Sequence, residues 1–410
     1  MIRKLREDAD KIIKGSIRAV LPDEAVQKAL SGKNFSGRVI CVAIGKAAWQ
    51  MARAAADILG DRMEKGIVIT KYGHVKGDIP RFECFEAGHP VPDENSFSAT
   101  EKAIETVSGL EKEDTVVFLI SGGGSALFEK PLVPYSELTD ITEQLLSSGA
   151  SITEINTIRK RLSAVKGGRF AEICSPARVF SIILSDVLGD PVDMIASGPA
   201  APDTSTSEDA KNIIAKHGID LSDDTLRLLE KETPSELPNA SWDISGSVRE
   251  LCTAAKNICL ELGYETEILT DSMDNEASEA GEYLSHLALK HAGQGRKLAF
   301  IAGGETVVRL KGKGKGGRNQ EMVLAAVRNL SGLNAAFFSV GSDGTDGPTD
   351  AAGGYADGDT LSEMTDMGID VRKYLENNDS YNALKACGGL VFTGPTGTNV
   401  NDLSVILIDE

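Results

Sequence analysis

Apolar and polar positions along the chain follow two alternating patterns. Short, nearly continuous apolar runs rich in β-branched residues recur at RVICVAI (38–44), GIVIT (66–70), TVVFLI (115–120) and RVFSIIL (178–184), with longer amphipathic stretches between them. Runs of this kind predict strands buried on both faces, and their alternation with helices predicts an α/β domain. Ligands of such sheets bind at the carboxyl ends of the strands, so the loops directly after these runs are where chemistry is expected.

The alternation weakens between Thr204 and Asn239, where polar residues with Pro234 and Pro238 predict a boundary near residue 235. Residues 1–235 and 236–410 are therefore expected to form two domains. In the second, Val248, Leu251, Cys252, Ala255, Ile258, Cys259 and Leu262 share one face of a helix that Gly263 ends. Strands are expected at 264–269, 298–302, 306–310, 335–340, 390–393 and 403–408. The opening segment MIRKLREDADKIIKGSIRAVL mixes both charge signs at helical spacing, unlike a signal peptide. No run approaches the roughly 18 apolar residues of a membrane span.

With 61 acidic and 43 basic side chains, the net charge of −18 argues against a nucleic-acid or anionic-membrane partner. The six cysteines form no Cys-x-x-Cys pair, so neither a zinc knuckle nor a disulfide framework is indicated, and a cytoplasmic location is expected. Glycine is unusual: 42 of 410 residues, against roughly 7% on average. Many of these glycines fall in the loops that the apolar pattern already singles out.

Lys46, in VAIGK, would stand at a strand end and a helix start, where free N–H groups favour an anion and the helix dipole disfavours a cation. It is either an anion-binding lysine or a solvated one. The loop Ser121, Gly122, Gly123, Gly124, Ser125 can bring its backbone close to a ligand, as an anion cradle or as a tight turn. It is neither a Walker loop nor a dinucleotide fingerprint, because Leu127 stands where the third glycine belongs.

The segment INTIRKRLSAVKGGR (155–169) reads as one helix ended by Gly167 and Gly168. Asn156, Arg159, Lys160, Ser163 and Lys166 share one face; Ile158, Leu162 and Val165 share the other. Residues 156–169 hold five cations and no carboxylate, which marks a local basic site or a solvated helix face. Asp186 and Asp190, in ILSDVLGDP, could hold Mg²⁺ or take a hydroxyl proton; Asp190 could equally cap a turn before Pro191.

Gly312, Gly314 and Gly317 form a G-x-G-x-x-G, but the acidic residue expected about 20 positions on is missing. Lys311, Lys313, Lys315 and Arg318, with Asn319 beside them, point instead to a more highly charged ligand such as a triphosphate. Arg318, at the helix start, is the foremost of these. Asp343, Asp346 and Asp350 lie on a glycine-rich loop that lacks an EF-hand glutamate, leaving Mg²⁺, a substrate hydroxyl or turn chemistry. The loop TGPTGTNVND (393–402) is longer than a hairpin needs. His89, in AGHPVPDENS, reads as a turn residue.

Together these segments resemble the class II glycerate kinase family, the D-glycerate 2-kinases with a C-terminal MOFRL domain. The resemblance is carried by SGGGSAL at Ser121, INTIRKRLSAVKGGR at Ile155, LSDVLGD at Leu184, IASGP at Ile195, GGET at Gly303, GKGKGGRNQE at Gly312, GTDGPTDAAG at Gly344 and TGPTGTNVND at Thr393, in collinear order. Two departures are Arg161, where the family often has His, and Ala200-Ala201, where Thr-Val is usual.

The resemblance implies a Rossmann-like N-terminal domain with a mostly parallel sheet and a smaller C-terminal α/β domain with a mixed sheet, the active site lying in the interdomain cleft. It implies ATP-dependent phosphorylation of D-glycerate to 2-phosphoglycerate with Mg²⁺ or another divalent cation, and active-site roles for Lys46 and Arg318. Asp186 is the third catalytic candidate. The remaining loop residues are expected to bind substrate or nucleotide, and Asp186 with Asp190 the metal. A monomer or homodimer is expected. Phosphorylation at the 3-hydroxyl, an NAD(P)-dependent hydroxypyruvate reductase and a noncatalytic metabolite sensor stay open as alternatives.

Overall fold

The computed structural model describes residues 2–409 and divides the chain into two compact units. One spans residues 25–245; the other joins the segment up to Glu24 to the chain from Gly246 onward. The division thus falls at 245/246 and not near 235, and the first helix, Ile2–Ala19, belongs with the C-terminal part. Its buried face, Leu5, Ala9, Ile12, Ile13 and Ile17, packs on helix Val248–Glu261, the helix expected from the apolar spacing there. The contact is close: a Cβ on Gly15 would lie 2.5 Å from Ile258 Cδ1. Asp8 accepts a hydrogen bond from the Tyr264 hydroxyl at 3.0 Å. Composition along the chain cannot reveal a helix that packs against residues more than 200 positions away.

The 25–245 unit holds β1 (Val39–Ile44), β2 (Met63–Lys71), β3 (Phe82–Ala87), β4 (Thr115–Ile120), β5 (Arg178–Leu184) and β6 (Ala240–Gly246) in the order 3-2-1-4-5-6. The pairs β1–β2, β2–β3, β1–β4 and β4–β5 are parallel. Alternate residues of the central strands feed two cores. Ile40, Val42, Ile44, Val116, Phe118 and Ile120 pack with Ala99, Ala103, Phe128 and Phe170 on one face. Val39, Cys41, Ala43, Val117 and Leu119 pack with Ala52, Ala55 and Leu59 of helix Ala48–Leu59 on the other. At about 1.5–3 kcal/mol per large apolar side chain buried, this two-sided burial is why these strands read as continuous apolar runs. The strand order reverses between β1 and β4, the position at which doubly wound sheets bind ligands.

The other unit holds β7 (Glu265–Met273), β8 (Leu298–Gly304), β9 (Ala335–Gly341), β10 (Gly353–Asp357), β11 (Leu390–Val391) and β12 (Asp402–Ile408), ordered 11-10-9-12-8-7. Only β7–β8 is parallel; β8–β12, β12–β9, β9–β10 and β10–β11 are antiparallel, so the sheet is mixed. The strand expected at 306–310 does not form. Val307 makes an isolated bridge to Glu276, and Leu310 is 83% exposed, because no partner strand buries its apolar positions.

The helix expected over 155–169 is shorter and starts earlier, Ile152–Arg161. Ser151 and Glu154 form a capping box at its start. After Arg161 the chain turns, Ser163 bridges Pro131, and Gly167 and Gly168 adopt φ of 56° and 84° before a short helix, Arg169–Ile173. Among the described residues no helix is long and apolar enough to cross a membrane.

Candidate active site

At the strand-order reversal the loops after β1 and β4 are stitched together. Gly45 leaves β1 with φ of 107°, and a Cβ there would lie 2.3 Å from the Ser121 carbonyl oxygen, so only glycine lets the loops touch. Lys46 N–H donates to Gly122 O at 2.9 Å and Ala47 N–H to Ser121 Oγ at 3.1 Å. Ser121 Oγ in turn donates to Ile44 O at 3.1 Å. Ser121 is therefore a buried strut, not the ligand donor expected from its place in the loop.

The Lys46 carbonyl is held by His74 Nδ1 at 3.0 Å and by the Thr70 hydroxyl at 3.4 Å. Its side chain runs over the glycines: Cε lies 3.6 Å from where a Cβ on Gly122 would be, and Cγ 3.4 Å from one on Gly123. Asp186 Oδ2 stands 2.4 Å from the first of those positions and His89 Nε2 2.9 Å from the second. Lys46, Asp186 and His89 thus converge on Gly122 and Gly123, which have no side chains because these three occupy the space. Burial first, then the charges of Lys46, Lys71 and His74, hold His89 below the ordinary imidazole pKa.

Beyond the loop, Ser197 Oγ donates to Ser125 Oγ at 3.3 Å and to Asn156 Oδ1 at 3.2 Å, and Arg159 Nη2 donates to Ser125 O at 3.2 Å. Ser197 and its neighbour Ala196 both have positive φ, 62° and 52°, a strain that clusters at functional sites. The structure therefore brings Ser125, Asn156 and Arg159 together and adds Ser197.

The basic segment is otherwise internal. Lys166 is fully buried, 2.7 Å from Glu129 Oε2, and donates to Phe128 O; burial, opposed by Glu129, pulls its ammonium down to about 8. Lys160 pairs with Asp193 and Asp203 at 3.1 and 3.2 Å. Arg161 is buried against Ser205 and Glu232. The segment lacks carboxylates only along the sequence; its partners arrive from distant positions. Lys166 is thus a core cation and not a ligand-binding one. A cavity of about 450 Å³ borders this network, among Thr153, Lys160, Asp193, Asp203 and Lys216, but its charges are paired with one another.

Asp190 turns the chain before Pro191 with φ of 54°, and its Oδ1 is buried without a hydrogen-bond partner among the described residues. No group of three or more His, Cys, Asp or Glu is placed to hold a metal among those residues.

In the β7–β12 unit a second cluster forms where Gly304, Asp402 and Gly341 lie in register across β8, β12 and β9. Arg318 opens helix Arg318–Leu330 and is clamped by Asp402, at 2.6 Å from Nε and 3.1 Å from Nη2, and by Glu305, at 2.7 Å from Nη1. Burial opposes the guanidinium charge, but Asp402 and Glu305 more than offset it and raise the pKa. Two of its five N–H donors are left for a ligand. Asp343 stands beside Asp402: a Cβ on Gly341 would be 3.3 Å from Asp343 Oδ1 and 3.5 Å from Asp402 Oδ1.

Asn319 and Asp346 are buried and bonded to each other. Asp346 accepts from the Asn319 and Gln320 backbone N–H groups at 3.2 and 2.9 Å, serving the first turn of the helix, and the Ser339 hydroxyl donates to Asn319 Oδ1. Burial, partly opposed by those amides, pushes the Asp346 carboxyl up to about 6.

The glycine-rich loop before Arg318 is not a backbone anion cradle. The amides of Lys311 and Gly312 donate to Asn378 Oδ1, that of Lys313 to Asn377 Oδ1, that of Gly314 to Asn377 O, and that of Lys315 to Asp379 Oδ1. A Cβ on Gly312 would meet the Asn377 backbone at 2.3 Å. Lys313 and Lys315 project to solvent, the latter over the Tyr381 ring at 4.2 Å.

Glu305, Asp402, His74, His89 and Ser197 were not among the candidates from the sequence. Glu305 and Asp402 lie in the motifs GGET and TGPTGTNVND and Ser197 in IASGP. Pairing of Glu305 and Asp402 with Arg318 is a matter of strand register, which no spacing reveals.

Comparison with known proteins identifies the family. The model of the DUF4147 family, described as a domain of unknown function, matches residues 8–230, and that of the MOFRL family matches residues 298–402. A protein of Thermotoga maritima named D-glycerate 2-kinase is 53% identical over 98% of this chain and 98% of its own length. A protein of Agrobacterium vitis, provisionally named a hydroxypyruvate reductase, is 43% identical over 91% of this chain and 87% of its own length. The crystal structure of a glycerate kinase from Thermotoga maritima superposes with a TM-score of 0.96 at 53% identity, covering 99% of this chain and 100% of that one. With both family models matched in order and this likeness sustained along the whole chain, the protein belongs to the class II glycerate kinase family.

Proposed function

We propose that this protein is a D-glycerate 2-kinase, transferring the γ-phosphoryl group of ATP to the 2-hydroxyl of D-glycerate. The observation that carries the reading is the 53% identity, over 98% of both chains, with the relative named D-glycerate 2-kinase. The chemistry of the two clusters supports it. Phosphoryl transfer asks a protein mainly for positioning and for positive charge around the transferred group. Lys46, fixed through its carbonyl by His74 and stretched over Gly122 and Gly123, supplies one such charge. Arg318, oriented by Asp402 and Glu305, supplies another.

Gly122 to Ser125, with Asn156 and Arg159, form a polar surface for an anionic group, while Lys313 and Lys315 attract phosphates through their side chains alone. Asp343 is placed to accept a substrate hydroxyl. A divalent cation would be held by Asp190, whose Oδ1 is a buried acceptor without a partner among the described residues, and by Asp186, since Mg²⁺ on a nucleotide commonly takes only one or two protein carboxylates. Bound there, the ion would neutralise phosphate charge.

Steady-state turnover of Lys46→Ala and Arg318→Ala tests the assignment. Each is expected to lose about 10²–10³-fold in kcat, the scale for removal of one preorganised charge or donor. Wild-type kcat in both folded variants would refute it. Pyruvate formation through enolase and pyruvate kinase without phosphoglycerate mutase is expected for a 2-phosphorylated product; dependence on the mutase would mean 3-phosphorylation.

The name of the Agrobacterium vitis relative favours a second reading, hydroxypyruvate reduction. Against it, the amides of the G-x-G-x-x-G loop already serve Asn377 to Asp379. NADH oxidation with hydroxypyruvate in the absence of ATP would revive it.

A further inference from the structure

Transfer of a phosphoryl group to a hydroxyl releases a proton, and neither Lys46 nor Arg318, both cations, can take it. His89 can. It lies in the loop after β3, and since β2 and β1 separate β3 from β4, the ring reaches across their carboxyl ends to Gly123. That reach is built. A Cβ on Gly88 would meet Val91 O at 2.5 Å, Asp93 caps helix Glu94–Thr106 and accepts from the Tyr72 hydroxyl at 2.6 Å, and the Tyr135 hydroxyl donates to Pro92 O at 2.7 Å. The loop is thus tied down on both sides of a half-buried imidazole. None of the described residues hydrogen-bonds its ring, although Nε2 sits at the loop that Lys46 and Asp186 also face.

We propose that His89 is the proton acceptor of the reaction, a role that rests on the kinase reading above. As the acceptor oxygen bonds to the γ-phosphorus and the bond from that phosphorus to the bridging oxygen of departing ADP breaks, the O–H proton passes to Nε2, and the imidazolium later releases it to water. The step requires the neutral tautomer protonated on Nδ1. The surroundings favour neutrality: burial acts first, then Lys46 from the β1 loop, Lys71 at the end of β2 and His74 beyond it. Of the nearby carboxylates, Asp93 accepts from Tyr72 and Ser96, and Asp186 Oδ2 stands over Gly122 while the ring stands over Gly123. His89 therefore stays a base at neutral pH, unlike an imidazole paired with a carboxylate.

The test is the pH dependence of kcat/KM for wild type, His89→Gln and His89→Ala. The glutamine variant is expected to lose about 10²–10⁴-fold in kcat, the range for general acid–base catalysis, with KM for both substrates nearly unchanged. The wild-type fall in kcat/KM on the acid side, expected below the ordinary imidazole range, should vanish in it, and added imidazole should restore part of the alanine variant's rate. Wild-type kcat in His89→Gln, a loss expressed only in KM, or an alanine variant that imidazole leaves unmoved would overturn the proposal. Absence of ADP formation by the wild-type enzyme from ATP and glycerate would instead overturn the kinase reading beneath it.

Discussion

Two glycine-rich loops, Ser121 to Ser125 and Gly312 to Gly317, each connect to a helix, and in the sequence they look alike. They differ in what fills the space their missing side chains leave. Over Gly122 and Gly123 stand Lys46, Asp186 and His89. Over Gly312 and Gly314 stand Asn377 and Asp379; both their side chains and the Asn377 carbonyl also take the loop's amides. A glycine shows that something approaches closely; whether that is chemistry or scaffolding depends on the neighbour. The second loop's own backbone is engaged by Asn377 to Asp379, and Arg318, the residue directly after it, is clamped by Asp402 and Glu305.

The largest effect that separates the loops should come from Gly123→Ala. Gly123 has φ of 86°, and the new Cβ would lie 2.9 Å from His89 Nε2. Displacement of that ring and of the Lys46 stem is expected to lower kcat about 10²-fold or more, since misplacement by about 1 Å can cost that much. Gly314→Ala should act on stability instead. Its Cβ would stand 2.4 Å from Asp379 Cβ, an overpacking worth about 1–3 kcal/mol in denaturant unfolding, with kcat per folded molecule within about threefold of wild type. An inactive Gly314→Ala of unchanged stability would show that the second loop is a cradle after all.

Asp346, whose carboxylate takes two amides in the first turn of the helix that follows the second loop, sharpens the contrast through pH. Its folded carboxyl titrates at about 6, above the ordinary 3.8, so the native state binds more protons in between. The stability this contributes is present below about pH 4 and lost as pH rises to about 6, a fall of the order of 2 kcal/mol. Asp346→Asn should flatten the slope of unfolding free energy across that window. The smallest effect is expected from Lys313→Ala and Lys315→Ala. Both side chains are exposed, so each should raise KM for ATP by only about two- to fivefold, and less at high salt. A change of about 100-fold would mean that the loop grips the nucleotide directly.

Legibility followed burial. The central strands β1, β4 and β5 are buried almost throughout and were readable as apolar runs. The edge strands β3 and β6, half-exposed with FECFEA and ASWDISG, were not, and neither was β10, GGYAD, at the interior of its sheet but poor in side chains. The basic segment misled for a related reason. Lys160, Arg161 and Lys166 look unpaired along the sequence, yet Asp203, Glu232 and Glu129 neutralise them from outside the segment. The position of Lys46 and Arg318 at loop–helix junctions was legible because that signal is local.

Amino-acid order therefore suffices for the α/β class and for the strand–loop–helix junctions at which Lys46 and Arg318 stand, since strand burial and helix starts are short-range properties. Packing alone assigns the first helix to the C-terminal part, turns three cations of the basic segment into core ion pairs, clamps Arg318 between Asp402 and Glu305, and brings His89 to Gly123. These depend on strand order and register, which join residues tens to hundreds of positions apart and leave no trace in local spacing.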